Sequence, residues 1–246
     1  MLAGLILNWY NMNEVTNNSD VTNSPPELSR MDRGRGRIKV CGMTDLEQMH
    51  QLGKMGVEFA GMIFYHKSPR FVLKHLTGEQ VKRAKLKVYK VGVFVNASYD
   101  EIINHVENFG LHMVQLHGDE TPKFCEKVSD YISVIKAFRI AEDDNIPWKI
   151  KDYYEACDMF MFDTMGAGYG GTGKKFNWDM LKGLNIGKPF FLSGGIEPTD
   201  AAAVKEFAKE EVAKDLFSLD VNSKFETMPG VKDMSLLRKF VEEVRG

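Results

Sequence analysis

From Arg37 onward, short apolar runs recur along the chain, separated by stretches in which apolar residues return every three or four positions. The runs are IKVCG (38–42), FAGMIFY (59–65), YKVGVFV (89–95), HMVQLHG (112–118), SVIKAF (133–138), DMFMFDT (158–164), PFFLSGG (189–195) and LFSLDV (216–221). They are rich in Val, Ile and Phe, as strands buried on both faces of a parallel sheet are. The stretches between them carry helix-start signals. Thr44-Asp45 opens a helix over 45–56, with Glu47 placed for a capping box from Thr44. Thr77, Ser98, Thr199 and Asp233 open four more, and Thr121 caps a fifth with Pro122 at its first position. A stretch around 147–156 and the short NWDMLKGL (177–184) complete the set.

Eight strands alternating with about eight helices imply β-α-β units and a parallel sheet. Eight repeats favour closure over an open doubly wound sheet. The expected fold is therefore a single α/β domain, a (β/α)8 TIM barrel over 37–246, behind a flexible or leader extension over 1–36. That extension pairs an apolar start with a polar stretch rich in Asn, Ser and Pro, which cannot bury enough surface to offset its ordering entropy. No basic residue precedes the apolar start and no small-residue cleavage site follows it, so a secretory signal is not expected.

Composition narrows the class. With 32 Lys+Arg against 34 Asp+Glu, the net charge of −2 gives no basic footprint for nucleic acid. No apolar run is long enough to cross a bilayer. Cys41, Cys125 and Cys157 are odd in number and far apart, which points to a reducing, cytoplasmic setting. The 6 histidines show no paired-ligand spacing, so no metal is expected.

Barrel active sites lie at the C-terminal ends of the strands. This rule selects Cys41, Tyr65, Asn96, Gln115, His117, Phe138, Arg139, Asp163, Gly194, Gly195, Asp220 and Ser223. The last two strand ends, SGGIEP and DVNSKFE, offer glycines for close backbone approach and small polar residues before a short helix. Barrels commonly bind phosphate there. Cys41 and Asp163 make a candidate base–acid pair, provided the thiol pKa moves down and the carboxyl pKa moves up. Arg70, in KSPRF, offers a planar fork for a carboxylate. Each also has a plainer reading: Cys41 as a small core residue, Asp163 as a loop cap, His117 as a structural hydrogen-bonding residue, Arg70 as a brace for its loop.

KVCGMT, GMIFYHKSPRFV, VGVFVN, VQLHGDE, IKAFR, MFDT…GGTGKKFNW, FFLSGGIEP and DVNSKFETMPGVKD follow one another in an order that resembles the phosphoribosylanthranilate isomerases of tryptophan biosynthesis. The likeness runs from about Ile38 to Val244. It implies an Amadori rearrangement of N-(5-phosphoribosyl)anthranilate to 1-(2-carboxyphenylamino)-1-deoxyribulose 5-phosphate, without cofactor or metal. It further implies Cys41 as general base, Asp163 as general acid and Arg70 on the anthranilate carboxylate. Gly194, Gly195, Asn222 and Ser223 would hold the phosphate, with Gln115, His117 and Asp220 lining the substrate. The partner is then a small phosphorylated molecule, with no nucleic acid or membrane, and the enzyme a monomer or homodimer.

The chain departs from the family pattern at Asn222-Ser223-Lys224-Phe225-Glu226, where many relatives read S-S-G-V-E. Without glycine at 224, φ there should be negative, and Lys224 is expected to point to solvent rather than to phosphate. The loop AGYGGTGKKF (167–176) matches G-x-G-x-x-G and G-x-x-x-x-G-K by chance, since position 193 is Ser and position 175 is Lys. It is expected to be a mobile loop that closes over substrate. Two rival readings remain. An indoleglycerol-phosphate synthase would need a catalytic lysine after the first strand, and a non-catalytic sugar-phosphate binder would not need the thiol–carboxyl pair.

Overall fold

The structure, a computed structural model, describes residues 36–164 and 176–246. The expectations for the N-terminal extension, and for all but Phe176 of the glycine-rich loop, lie outside those residues. Eight strands form a closed barrel in sequence order: β1 (Ile38–Val40), β2 (Phe59–Ile63), β3 (Tyr89–Phe94), β4 (Met113–Leu116), β5 (Val134–Ile140), β6 (Met159–Thr164), β7 (Phe190–Leu192) and β8 (Leu216–Val221). All neighbours are parallel, and β8 closes on β1 through Ile38↔Leu219, Lys39↔Asp220 and Val40↔Val221. The connections carry α1 (Leu46–Lys54), α2 (Gly78–Arg83), α3 (Tyr99–Phe109), α4 (Pro122–Ser129), α5 (Ile146–Ile150), α6 (Ala201–Phe207) and α7 (Met234–Arg245).

Closure explains why the strands read as nearly continuous apolar runs: both faces are buried. Phe59, Val91, Met113, Ile135, Ala137, Met159, Met161 and Phe191 fill the barrel interior. A second and larger cluster, including Val40, Met62, Phe94, Val114, Phe160 and Leu219, lies between the sheet and the helices. Strand periodicity of two sends alternate residues to these two cores. The same periodicity carries Lys39, Gln115, Arg139, Asp163 and Asp220 inward near the mouth.

The helix starts match the sequence at Thr77, whose capping box with Gln80 is complete, and at Ser98, Thr121 and Asp233. Two differ. Asp45, not Thr44, caps α1 by accepting from the Gln48 amide, because the Thr44 hydroxyl donates to the Gly230 carbonyl at 2.7 Å. Thr199 lies inside a 3-10 turn, Pro198–Asp200, whose start is closed by Asp200 accepting from the Glu197 amide. The sixth connection contributes a 3-10 turn, Trp178–Leu181, and no α-helix among the described residues. The fifth strand runs past the predicted Phe138 because Arg139 and Ile140 pair with Asp163 and Thr164.

Asp233 accepts from both the Ser235 and Leu236 amides, so it satisfies two of the four open donors of α7. Asp233→Ala should cost about 1 kcal/mol. The thermal midpoint should then fall by about 2–4 °C for a domain of this size, which calorimetry checks.

Candidate active site

Cys41 follows β1 directly, and its amide donates to the Val221 carbonyl at 2.9 Å, continuing the ladder to β8. Its thiol is free and buried. Two positions earlier on the same strand face is Lys39, fully buried, with its Nζ 2.7 Å from the Asp220 carboxylate. Ser193 donates to the other Asp220 oxygen at 3.3 Å. Room for these groups comes from Gly61 in β2, where a Cβ would lie 3.0 Å from Cys41 Sγ and 3.2 Å from Lys39 Nζ.

Arg70, on the loop after β2, donates through Nε at 2.8 Å and through Nη2 at 2.6 Å to the two oxygens of Glu226. Glu226 begins a small antiparallel hairpin, β9 (Glu226–Met228) with β10 (Val231–Lys232). It also accepts from Lys232 Nζ at 2.7 Å and from the Gly230 amide at 3.1 Å. Burial would raise the Glu226 carboxyl, but the Arg70 hydrogen bond and the Lys232 charge hold it below its ordinary value. The brace reading of Arg70 is therefore realised, with one edge of its fork committed inside the protein.

Asn222 and Ser223 lie where β8 passes into the 3-10 turn Ser223–Phe225. The Asn222 side-chain oxygen is taken by Lys232 Nζ at 2.8 Å. Gly194 and Gly195 both have positive φ, +91° and +75°, which a side chain would strain. A Cβ at Gly194 would also meet Phe176 and Thr164. Lys224, whose φ is not positive, does not point to solvent alone: it pairs with Glu197 at 2.7 Å and ties the β8 loop to the β7 loop.

Asp163, the penultimate residue of β6, accepts from the Thr164 amide at 2.8 Å and faces His117 Nε2 at 3.3 Å. The other ring nitrogen of His117 lies 2.7 Å from Gln115 Nε2. Of the remaining strand-end candidates, Arg139 pairs with Asp119, and the Asn96 side chain accepts from the Asp119 amide. Glu120 accepts from the Asn96 and Gly118 amides and pairs with buried Lys136, fixing the turn that carries His117.

The expected pKa directions are reversed. Burial pushes the Cys41 thiol above its ordinary value, and the Lys39 and Lys232 ammoniums offset only part of this. Burial also acts to raise Asp163, but His117, the Thr164 amide and Lys39 together hold it below its ordinary value. Both directions favour a thiol with a carboxylate over a thiolate with a carboxylic acid.

Three contributors escaped the motif reading: Lys39, Glu226 and Lys232. With Arg70 and Asp220 they place three cations and two carboxylates around Cys41, among the described residues, each partnered by an opposite charge. A thiolate would balance the remaining positive charge. Lys39 was visible in principle, since a lysine in the middle of an apolar strand requires a buried partner.

Comparison with known proteins places the chain and its fold among characterised relatives. The family model for N-(5'-phosphoribosyl)anthranilate (PRA) isomerase matches residues 38–243. The N-(5'-phosphoribosyl)anthranilate isomerase of Parabacteroides distasonis is 38% identical over 209 residues, covering 84% of this chain and 92% of the relative. The crystal structure of the phosphoribosylanthranilate isomerase from Thermotoga maritima superposes with a TM-score of 0.73 at 30% identity, covering 86% of this chain and 99% of that one. A phosphoribosylanthranilate isomerase in complex with reduced 1-(o-carboxyphenylamino)-1-deoxyribulose 5-phosphate gives 0.68 at 28% identity, with the same coverage. The chain belongs to the phosphoribosylanthranilate isomerase family.

Proposed function

We propose that this chain catalyses the Amadori rearrangement of N-(5-phosphoribosyl)anthranilate in tryptophan biosynthesis, with Asp163 as general acid and Cys41 as general base. The observation that carries the reading is a buried thiol and a histidine-bonded carboxyl at one end of the barrel, both within the field of Lys39. Protonated Asp163 gives its proton to the ribose ring oxygen as the C1–O bond breaks and the anilino nitrogen forms a Schiff base. The Cys41 thiolate then takes the C2 proton, and the C2–H electron pair moves to give an enolamine. Proton gain at C1 and loss from the C2 hydroxyl give the ketone, so the overall change is an isomerisation. Thiol with carboxylate and thiolate with carboxylic acid hold the same single proton, so the productive form is a proton tautomer of the arrangement described above. Holding the substrate at both ends supports this step by fixing the sugar between the two groups. Gly194, Gly195, Asn222 and Ser223 are the proposed phosphate site. A steady-state assay following loss of substrate fluorescence tests the activity directly: no turnover by the purified chain overturns it.

We assign Arg70 to the anthranilate carboxylate through its Nη1 side, the Nε–Nη2 edge being held by Glu226. Arg70→Ala should weaken a carboxylate-bearing product analogue by about 1.5–3 kcal/mol, the range for a hydrogen bond to a charged group. An analogue without the carboxylate should bind both proteins equally, and Arg70→Lys should not fully rescue, since an ammonium has no planar fork. Calorimetric titration decides it, because equal losses for the two analogues would reduce Arg70 to a loop brace.

A further inference from the structure

We propose that Gln115 is a positioning residue that governs the protonation of Asp163 by selecting the tautomer of His117. The inference rests on the reading of Asp163 as the acid. Met113, Gln115 and His117 alternate along β4 and its end, so the amide and the imidazole share the barrel face. Gln115 is 1% exposed, its Nε2 donates to His117 Nδ1 at 2.7 Å, and its Oε1 has no hydrogen-bond partner among the described residues. A buried acceptor left unpaired beside a short hydrogen bond is rare enough to require a reason.

With the Gln115 amide in this orientation, the chain of donors sets the proton positions. With Gln115 donating, Nδ1 is an acceptor, so the neutral ring carries its hydrogen on Nε2 and offers it to Asp163 Oδ2. This arrangement favours the carboxylate. An acid needs one more proton on the His117–Asp163 dyad. Either the carboxyl holds it and donates to Nε2, leaving the ring hydrogen on Nδ1, or the ring becomes an imidazolium with hydrogens on both nitrogens. In both cases Nδ1 turns from acceptor to donor. Two donors then face each other at 2.7 Å unless the amide makes a half-turn and presents Oε1. A primary amide does this in place, without moving the backbone. The orphan Oε1 is thus the acceptor that the protonated dyad requires.

The surrounding charges leave this role to Gln115. On β5 and the β4 loop, Arg139 is engaged by Asp119 and Lys136 by Glu120. From β1, Lys39 is paired with Asp220 and its charge favours the Asp163 carboxylate, while Cys41 shares the same field. On β6 the Thr164 amide holds the other Asp163 oxygen. The β3 residues paired with β4, Val91 to Phe94, carry no charge.

The test uses the full chain labelled with 15N-histidine, with the His117 resonances assigned by their loss in His117→Asn. Above the titration of the dyad, Nδ1 should show the shift of an unprotonated ring nitrogen and Nε2 that of a protonated one; below it, Nδ1 should become protonated. In Gln115→Glu, which only accepts when ionised, Nδ1 should stay protonated to higher pH. The acidic limb of its kcat/KM profile should then move up by about one pH unit. A wild-type ring protonated on Nδ1 at every pH, or a Gln115→Glu limb that does not move in a variant that folds, overturns the proposal. Asp163→Asn separates the two readings, since retained turnover there would remove the acid assignment while leaving the tautomer result standing.

Discussion

Cys41→Ala should reduce kcat by at least about 10³-fold while leaving the fold and phosphate affinity close to wild type. A positioned base contributes roughly 10²–10⁴-fold, and no second group among the described residues is placed to replace it: Lys39 and Lys232 are both held in ion pairs. The substitution removes one sulfur atom from a buried position without stranding a charge, because the thiol is neutral when its pKa is raised. Cys41→Ser should be nearly as inactive, since its hydroxyl keeps the shape but ionises far less readily than a thiol. Steady-state turnover beside a thermal melt makes the comparison. Activity within tenfold of wild type in a folded Cys41→Ala protein would remove the thiol from the base role.

Asp163→Asn should cost a similar factor for the opposite reason. The amide keeps the volume of the carboxyl and its contact with the Thr164 amide, so the end of β6 should stay in place. It has no proton to give to the ring oxygen. The wild-type pH profile should show which groups titrate. Because Asp163 is held low and Cys41 is pushed high, the thiolate–acid form is a minor tautomer across the plateau between them. The kcat/KM bell should therefore lose activity on its acidic side as Asp163 gains a proton and on its alkaline side as the thiol loses its own. Such limbs belong to the coupled pair rather than to either residue. Asp163→Asn should lose the plateau altogether, and a variant that keeps its turnover near neutral pH would assign the acid to another group.

The strand order and the placing of chemistry at the strand ends were legible because each rests on local periodicity. A strand sends every second residue to the same side, so Gln115 with His117, and Lys39 with Cys41, were bound to share a face wherever the barrel closed. Caps at Thr77, Ser98, Thr121 and Asp233 were equally local, each a side chain accepting an amide two or three residues on. At Thr44 and Thr199 the local signal failed. Tertiary contact drew the first hydroxyl to Gly230, 186 positions away, and left Asp45 to cap the helix.

The sequence by itself thus determined the eight-fold alternation and the end of the barrel where the candidate thiol, carboxyl and guanidinium gather. Tertiary structure alone decided their partners. Lys39 meets Asp220 across 181 positions and Arg70 meets Glu226 across 156, and no periodicity encodes which distant charges will neutralise one another. Those partners, with burial, also set the direction of each pKa, which is why the expected low thiol and high carboxyl came out reversed. Ionisation responds to desolvation and to charges within a few ångströms, and both exist only once the barrel has closed.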